Sequence, residues 1–124
     1  GERTRAAVYA RVVAFFETHD LLICPTTVVP PFPVEWTTVK HCEGHAFDRY
    51  IDWIAITFAI SMLGLPAISV PCGFTSENLP IGLQIVGPPR GEHALLRAAA
   101  AFERACGLGR ITPILPRTGA FRVE

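Results

Sequence analysis

The sequence is poor in several groups that enzymes commonly use. Lysine occurs once, at Lys40, methionine once, at Met62, and serine three times, at Ser61, Ser69 and Ser76. No serine stands in a G-x-S-x-G frame, which excludes that nucleophile elbow. The cysteines, Cys24, Cys42, Cys72 and Cys106, are widely spaced and form no C-x-x-C pair, so a disulfide scaffold is not expected and a reducing cytoplasm is. Neither sign of charge is in excess: Lys plus Arg is 11, Asp plus Glu is 11, and the formal net charge is zero. A basic surplus to attract nucleic acid or an anionic membrane is therefore missing. No uncharged apolar run reaches the ~18–20 residues of a membrane helix. The longest, Trp53 to Val70, is interrupted by Thr57, Ser61, Gly64, Pro66 and Ser69. The opening segment carries Arg3, Arg5 and Arg11 without the apolar core of a secretory signal. Repeats and low-complexity tracts are also missing.

What is present is apolar. Half of the 124 residues are hydrophobic, 18% are charged and mean hydropathy is +0.35, so the chain can bury a core rather than stay disordered. The length suits one small domain. A chain this small has much surface for its volume, and its hydropathy is high for that. It is expected either to hide apolar surface in an oligomer or to be a piece of something larger. Its start at Gly1, with the lone methionine internal, reads as a processed or cleaved N-terminus.

Hydrophobic periodicity gives the coarse order α-β-loop-α-β-β-α-tail. A helix is predicted over 4–18, with Ala6, Tyr9, Val13 and Phe16 as its apolar stripe. Leu21–Cys24, closed by Pro25, reads as a short buried strand. Residues 26–46 contain Pro30, Pro31 and Pro33, which no helix can cross, and are predicted to lack regular structure. Phe32, Val34 and Trp36 mark this loop as an ordered cover. A helix is predicted over 47–62, with Asp48 and Asp52 in its first turn and Gly64 and Pro66 ending it. Pro66–Phe74 and Pro80–Gly87 read as strands around the turn 75–79. The second should place Ile81, Leu83 and Ile85 on one face and Gly82, Gln84 and Val86 on the other. The last helix spans 92–106 and stops at Gly107, and 107–124 reads as an irregular tail. Two of the three strands read as buried on both faces, which needs more neighbours and helices than the chain supplies. The sheet is expected to be incomplete in a lone monomer.

No catalytic constellation emerges from the polar residues. Ser69 falls in a buried strand, Ser76 in a turn and Ser61 in a helix, where serine bonds back to a carbonyl. Lys40 reads as solvated, because a depressed lysine requires burial. His41, Cys42 and His45 are zinc-type donors at short spacing, but a second ligand pair at a fitting distance is missing. Cys24 reads as a core thiol without a cation to activate it. Asp52 and Trp53 read either as a helix-start acid with a core aromatic or as a pocket wall, because an acid on an otherwise apolar helix must find a partner.

Three stretches together, DLLICPTTVVPP (20–31), LGLPAISVPCGF (63–74) and LPIGLQIVGPPRGEHALLRAAAAFE (79–103), resemble the C-terminal part of the amidase signature family, and YIDW (50–53) is similar to the same region of members acting on small amides. The resemblance spans roughly residues 5–105. It implies an α/β fold: about three strands of a mixed sheet flanked by about three helices, with residues 1–124 forming the C-terminal segment of the domain. It implies amide C–N hydrolysis by a Ser–cis-Ser–Lys triad carried upstream of the matched region, with no cofactor and no metal. Lys40, Ser61, Ser69 and Ser76 do not match triad positions, so no residue of this chain is assigned a catalytic role. The pocket-wall candidates are Thr26, after Pro25, and Asp52, Trp53 and Thr57 on the second helix. The partners the resemblance implies are the missing N-terminal part of the enzyme and a small amide substrate; the hydropathy adds a second copy in a homo-oligomer as a possibility, and the charge balance and run lengths argue for no nucleic acid and no membrane. A non-enzymatic, self-associating structural module is the alternative.

Overall fold

The computed structural model describes residues 1–108, so the predicted tail lies outside the described residues except for Gly107 and Leu108. The elements are helix α1 (Glu2–Phe15), strand β1 (Leu22–Pro25), a small hairpin of β2 (His41–Cys42) and β3 (His45–Ala46), helix α2 (Ala55–Leu63), strands β4 (Ala67–Phe74) and β5 (Pro80–Val86), and helix α3 (Glu92–Cys106). The main sheet has the order β1-β5-β4, so β5 is central. Within the mixed α/β architecture, these three strands pair antiparallel throughout.

The register explains the layering. Leu22 and Ala67 flank Val86, while Ile23 and Ile68 flank Ile85. Alternation along β5 sends these two residues to opposite faces. On one face Val70 and Ile85 meet Leu95 and Ala99 of α3, with Phe102 packed alongside. On the other, Val86 meets Leu63 and Leu65, with Val12 and Phe16 of α1 and Ile60 of α2 around them. Ile85 is 2% exposed and Val86 0%, so this end of β5 is sealed on both sides. Burial falls steadily toward Pro80 and Ile81, which are exposed. Helices therefore cover one end of the central strand and leave the other bare.

Four expectations need correction. The predicted stripe of α1 is half-buried only toward its C-terminal end, at Val12, Val13, Phe15 and the capping Phe16; Ala6 is exposed and Tyr9 is 38% exposed. The helix packs on the sheet side through Val12 and the adjoining Phe16, and Arg5 in its first half donates to the Met62 carbonyl of α2 at 3.4 Å. The predicted helix 47–62 begins late. Asp52 accepts a hydrogen bond from the Arg49 backbone N–H at 2.9 Å, and residues 52–54 form one 3-10 turn before α2. That side-chain acceptor competes with a regular first turn. The α2 terminus is as expected, with Gly64 left-handed at φ 64°.

The loop 26–46 also contains more order than expected. Glu43 (φ 46°) and Gly44 (φ 77°) make the two-residue turn of the β2–β3 hairpin, a geometry that fits strand twist. The Cys42 thiol donates to the Val28 carbonyl at 3.3 Å, tying the hairpin back to the loop. Finally, β1 and β4 are not buried on both faces. Among the described residues each pairs on one side only, with β5, and Ile23 on β1 is 55% exposed. Strands with the composition of interior strands thus stand at the edges of the sheet that the described residues form.

Candidate functional site

The bare end of β5 forms the floor of a groove of about 590 Å³. Thr26 follows β1, and its backbone N–H donates to the Gly82 carbonyl at 3.2 Å. Ser69 lies on β4, on the far side of β5. Their hydroxyl oxygens are 2.8 Å apart, so the two outer strands share a hydrogen bond across the central one. Gly82 makes this crossing possible. A Cβ there would sit 2.8 Å from Thr26 Oγ1 and 3.0 Å from Ser69 Oγ. Two residues along the same face, buried Gln84 donates from Nε2 to Cys24 Sγ at 3.2 Å.

The loop supplies the wall. Val28 to Phe32 line the groove together with Trp53. Prolines keep this stretch out of helix, and aromatic packing fixes its far end. The Phe32 ring lies 5.6 Å from Trp53, nearly perpendicular, and 6.0 Å from Trp36 in a stacked arrangement; Tyr50 meets Trp53 edge-on at 6.2 Å. Such pairs contribute about 0.5–1.5 kcal/mol each beyond area burial. The Trp53 indole Nε1 is shielded from solvent and has no hydrogen-bond partner among the described residues, so its position is held by packing.

The sequence candidates separate. Thr26 and Trp53 line the groove. Asp52 and Thr57 do not line it. The Asp52 carboxylate is engaged by Arg49, through the guanidinium Nη2 at 2.9 Å and through the backbone N–H. The Arg49 side-chain hydrogen bonds, with the backbone bond second, hold Asp52 below its ordinary pKa. The acid on an apolar helix has thus found its partner locally. The Thr57 hydroxyl donates to the Ile54 carbonyl at 2.9 Å, within its own turn. Ser69 and Gly82, absent from the candidates, are central to the groove. A glycine alternating with Gln84 on one face of a strand was the available signal, but the partners across it depend on strand register.

Chemically, the groove is neutral. Among the described residues its lining consists of threonine, valine, proline, phenylalanine, tryptophan, serine, isoleucine and glycine, with no ionisable side chain. Those residues therefore offer the hydroxyl pair no base to activate it, as nucleophilic attack by serine or threonine requires. Lys40 lines a separate pocket with Glu35 and Trp36, Ser61 is on α2, and Ser76 is in the β4–β5 turn. Among the described residues no three His, Cys, Asp or Glu side chains converge as metal ligands; Cys42 faces Val28 instead.

A family model described as Amidase matches residues 1–96. The chain belongs to the amidase family. A glutamyl-tRNA(Gln) amidotransferase subunit of Alkaliphilus metalliredigens is 39% identical over 98 residues, covering 79% of this chain and 19% of its own length. Fatty acid amide hydrolase of Medicago truncatula is 38% identical over 101 residues, or 80% of this chain and 16% of its own. Among solved structures, a bacterial aryl acylamidase of the amidase signature family superposes with a TM-score of 0.72 at 30% identity, over 86% of this chain and 22% of that one. This amidase-family chain thus spans about a fifth of the length of the curated relatives it matches. The match includes β1, β4 and β5, the loop 26–32 and Trp53, which build the groove.

Proposed function

We propose that this chain is the C-terminal segment of an amide C–N hydrolase. It supplies one wall of the amide pocket while the reacting groups come from the remainder of the enzyme. The observation that carries the reading is the Thr26–Ser69 hydroxyl pair in a groove lined without an ionisable group. Paired hydroxyls both donate and accept, as an amide does, and so can orient a substrate without attacking it. Family membership and the partial coverage of each relative support the same division of labour. No cofactor is part of this reading. Its partners are the N-terminal part of the enzyme and a small amide. The four thiols, all unpaired, support a reducing cytoplasm as the setting, and no described helix is long and apolar enough to cross a membrane.

The test is an assay of the 124-residue chain on acetanilide and on simple aliphatic amides. No turnover above background is expected. Robust hydrolysis that survives Lys40→Ala would sink the proposal.

A second reading, a self-associating structural module, has its own support. Val8 and Tyr9 on α1, Phe58 and Met62 on α2, and Ile23 on β1 are all 38% exposed or more. Sizing at micromolar concentration separates the two readings. A discrete, stable homo-oligomer favours the module; concentration-dependent aggregation favours an enzyme segment lacking its neighbours.

A further inference from the structure

We propose that the β2–β3 hairpin is one half of a zinc site, and that a second copy of this chain supplies the other half, so that the metal bridges a dimer. The site lies outside the groove and does not depend on the amide-pocket reading.

The ligand pair follows from the turn. Glu43 and Gly44 both take positive φ in a two-residue connection, and the register then sets Cys42 directly opposite His45. Residues so paired have Cβ atoms about 4.5–5.5 Å apart on one face. One zinc ion can reach both, taking thiolate at about 2.3 Å and imidazole at about 2.0–2.1 Å. His41 pairs with Ala46 and so falls on the opposite face. The hairpin is anchored where it leaves the loop. Val39 is 3% exposed, the Phe47 N–H donates to the Lys40 carbonyl at 2.8 Å, and the Phe47 ring packs edge-on to the His45 ring at 5.4 Å.

Two ligands leave a tetrahedral ion half coordinated. Among the described residues no third His, Cys, Asp or Glu joins this pair. A two-fold axis through the ion brings the same cysteine and histidine from a second copy and completes a set of two thiolates and two imidazoles. His45 is exposed and Cys42 half-buried, so the pair can be approached from outside. The charge balances. Two thiolates offset the zinc dication, so the complex adds no net charge near Lys40, two residues before Cys42. Each thiol gives up the proton it donates to the Val28 carbonyl at 3.3 Å, its sulfur binds zinc, and two protons pass to solvent for each ion bound.

The test is a zinc titration of the untagged 124-residue chain, followed by sedimentation at a concentration where the metal-free chain is monomeric. If the natural sequence associates without metal, Ile23→Lys is the starting chain. A dimer holding one zinc per two chains is expected, with two protons released and full reversal by EDTA. Cobalt(II) in place of zinc is expected to show a thiolate charge-transfer band. Losing a group that merely supports a metal ligand costs about 10–100-fold in affinity, so losing a ligand should cost more. Cys42→Ser and His45→Asn should therefore each raise the zinc needed for half-dimerisation by about a hundredfold or more. His41→Asn should leave it unchanged.

Absence of a zinc-dependent dimer, or one zinc per chain without dimerisation, would overturn the proposal. So would dimerisation that survives Cys42→Ser or His45→Asn, or that is lost in His41→Asn. If Cys42→Ser does not fold, the cobalt spectrum of the unaltered chain takes its place, because a missing thiolate band removes the sulfur ligand. None of these outcomes bears on the amide-pocket reading.

Discussion

At the scale of single residues, the chain shows how a missing side chain can be structural. Gly82 leaves room for Thr26 and Ser69 to meet over β5, and an added methyl would sit within 3.0 Å of both oxygens. Gly82→Ala is expected to separate the hydroxyls and to cost about 1–3 kcal/mol, as overpacking does, read from urea denaturation. Ser69→Ala removes the hydrogen bond without crowding and should cost about 1 kcal/mol or less. A smaller loss for Gly82→Ala than for Ser69→Ala would contradict this account. Asp52 gives a pH prediction. Its folded pKa is lowered by Arg49, so the stabilisation it contributes is present above the ordinary aspartate range, about 4, and is lost as pH falls through the lowered value. The Arg49 amide signal is expected to titrate below that range, and Arg49→Ala should move the Asp52 midpoint upward.

At the scale of elements, boundaries follow local chemistry. Gly64 ends α2 with φ 64°, a conformation that costs an L-residue about 1–2 kcal/mol. Gly64→Ala should lower stability by that amount without altering the groove. Leu95 on α3 is 4% exposed against Val70 and Ile85, and Leu95→Ala should cost about 2–4 kcal/mol in the same denaturation experiment. The span of α3 and the two faces of β5 are legible in the sequence, because an apolar stripe of period 3.6 and an alternation of period 2 are long-range enough to survive noise. The start of α2 is not legible, because one Arg49–Asp52 contact outweighs the apolar pattern there. The β2–β3 hairpin escapes sequence reasoning because two-residue strands carry almost no periodicity; Glu43-Gly44 is its only cue. Of the groove, Thr26 and Trp53 are within reach of the sequence, while Ser69 reads there as merely interior to a strand. Its meeting with Thr26 depends on the register of two pairings, which no residue pattern specifies alone.

At the scale of the whole molecule, the sheet that the described residues form has two unpaired sides. Among those residues β1 and β4 each bond only to β5, and Ile23 stands 55% exposed on one of these edges. Open apolar edges invite pairing with other chains. Ile23→Lys is therefore expected to reduce self-association, measured by sedimentation, with little change in thermal stability. An unchanged association state would show that contact runs through α1 and α2 instead.

The uneven wrapping of β5 has a consequence for how the chain moves. Ile85 and Val86 are closed off by packing on both sides, whereas Pro80 and Ile81 are open to water. Amide protons of the six residues from Ile81 to Val86 should then exchange at graded rates, slowest at Val86 and fastest near the groove. Unfolding resistance resides at one end of the strand and tolerance of substitution at the other, so the mouth can be reshaped by mutation while the anchor keeps the polypeptide folded.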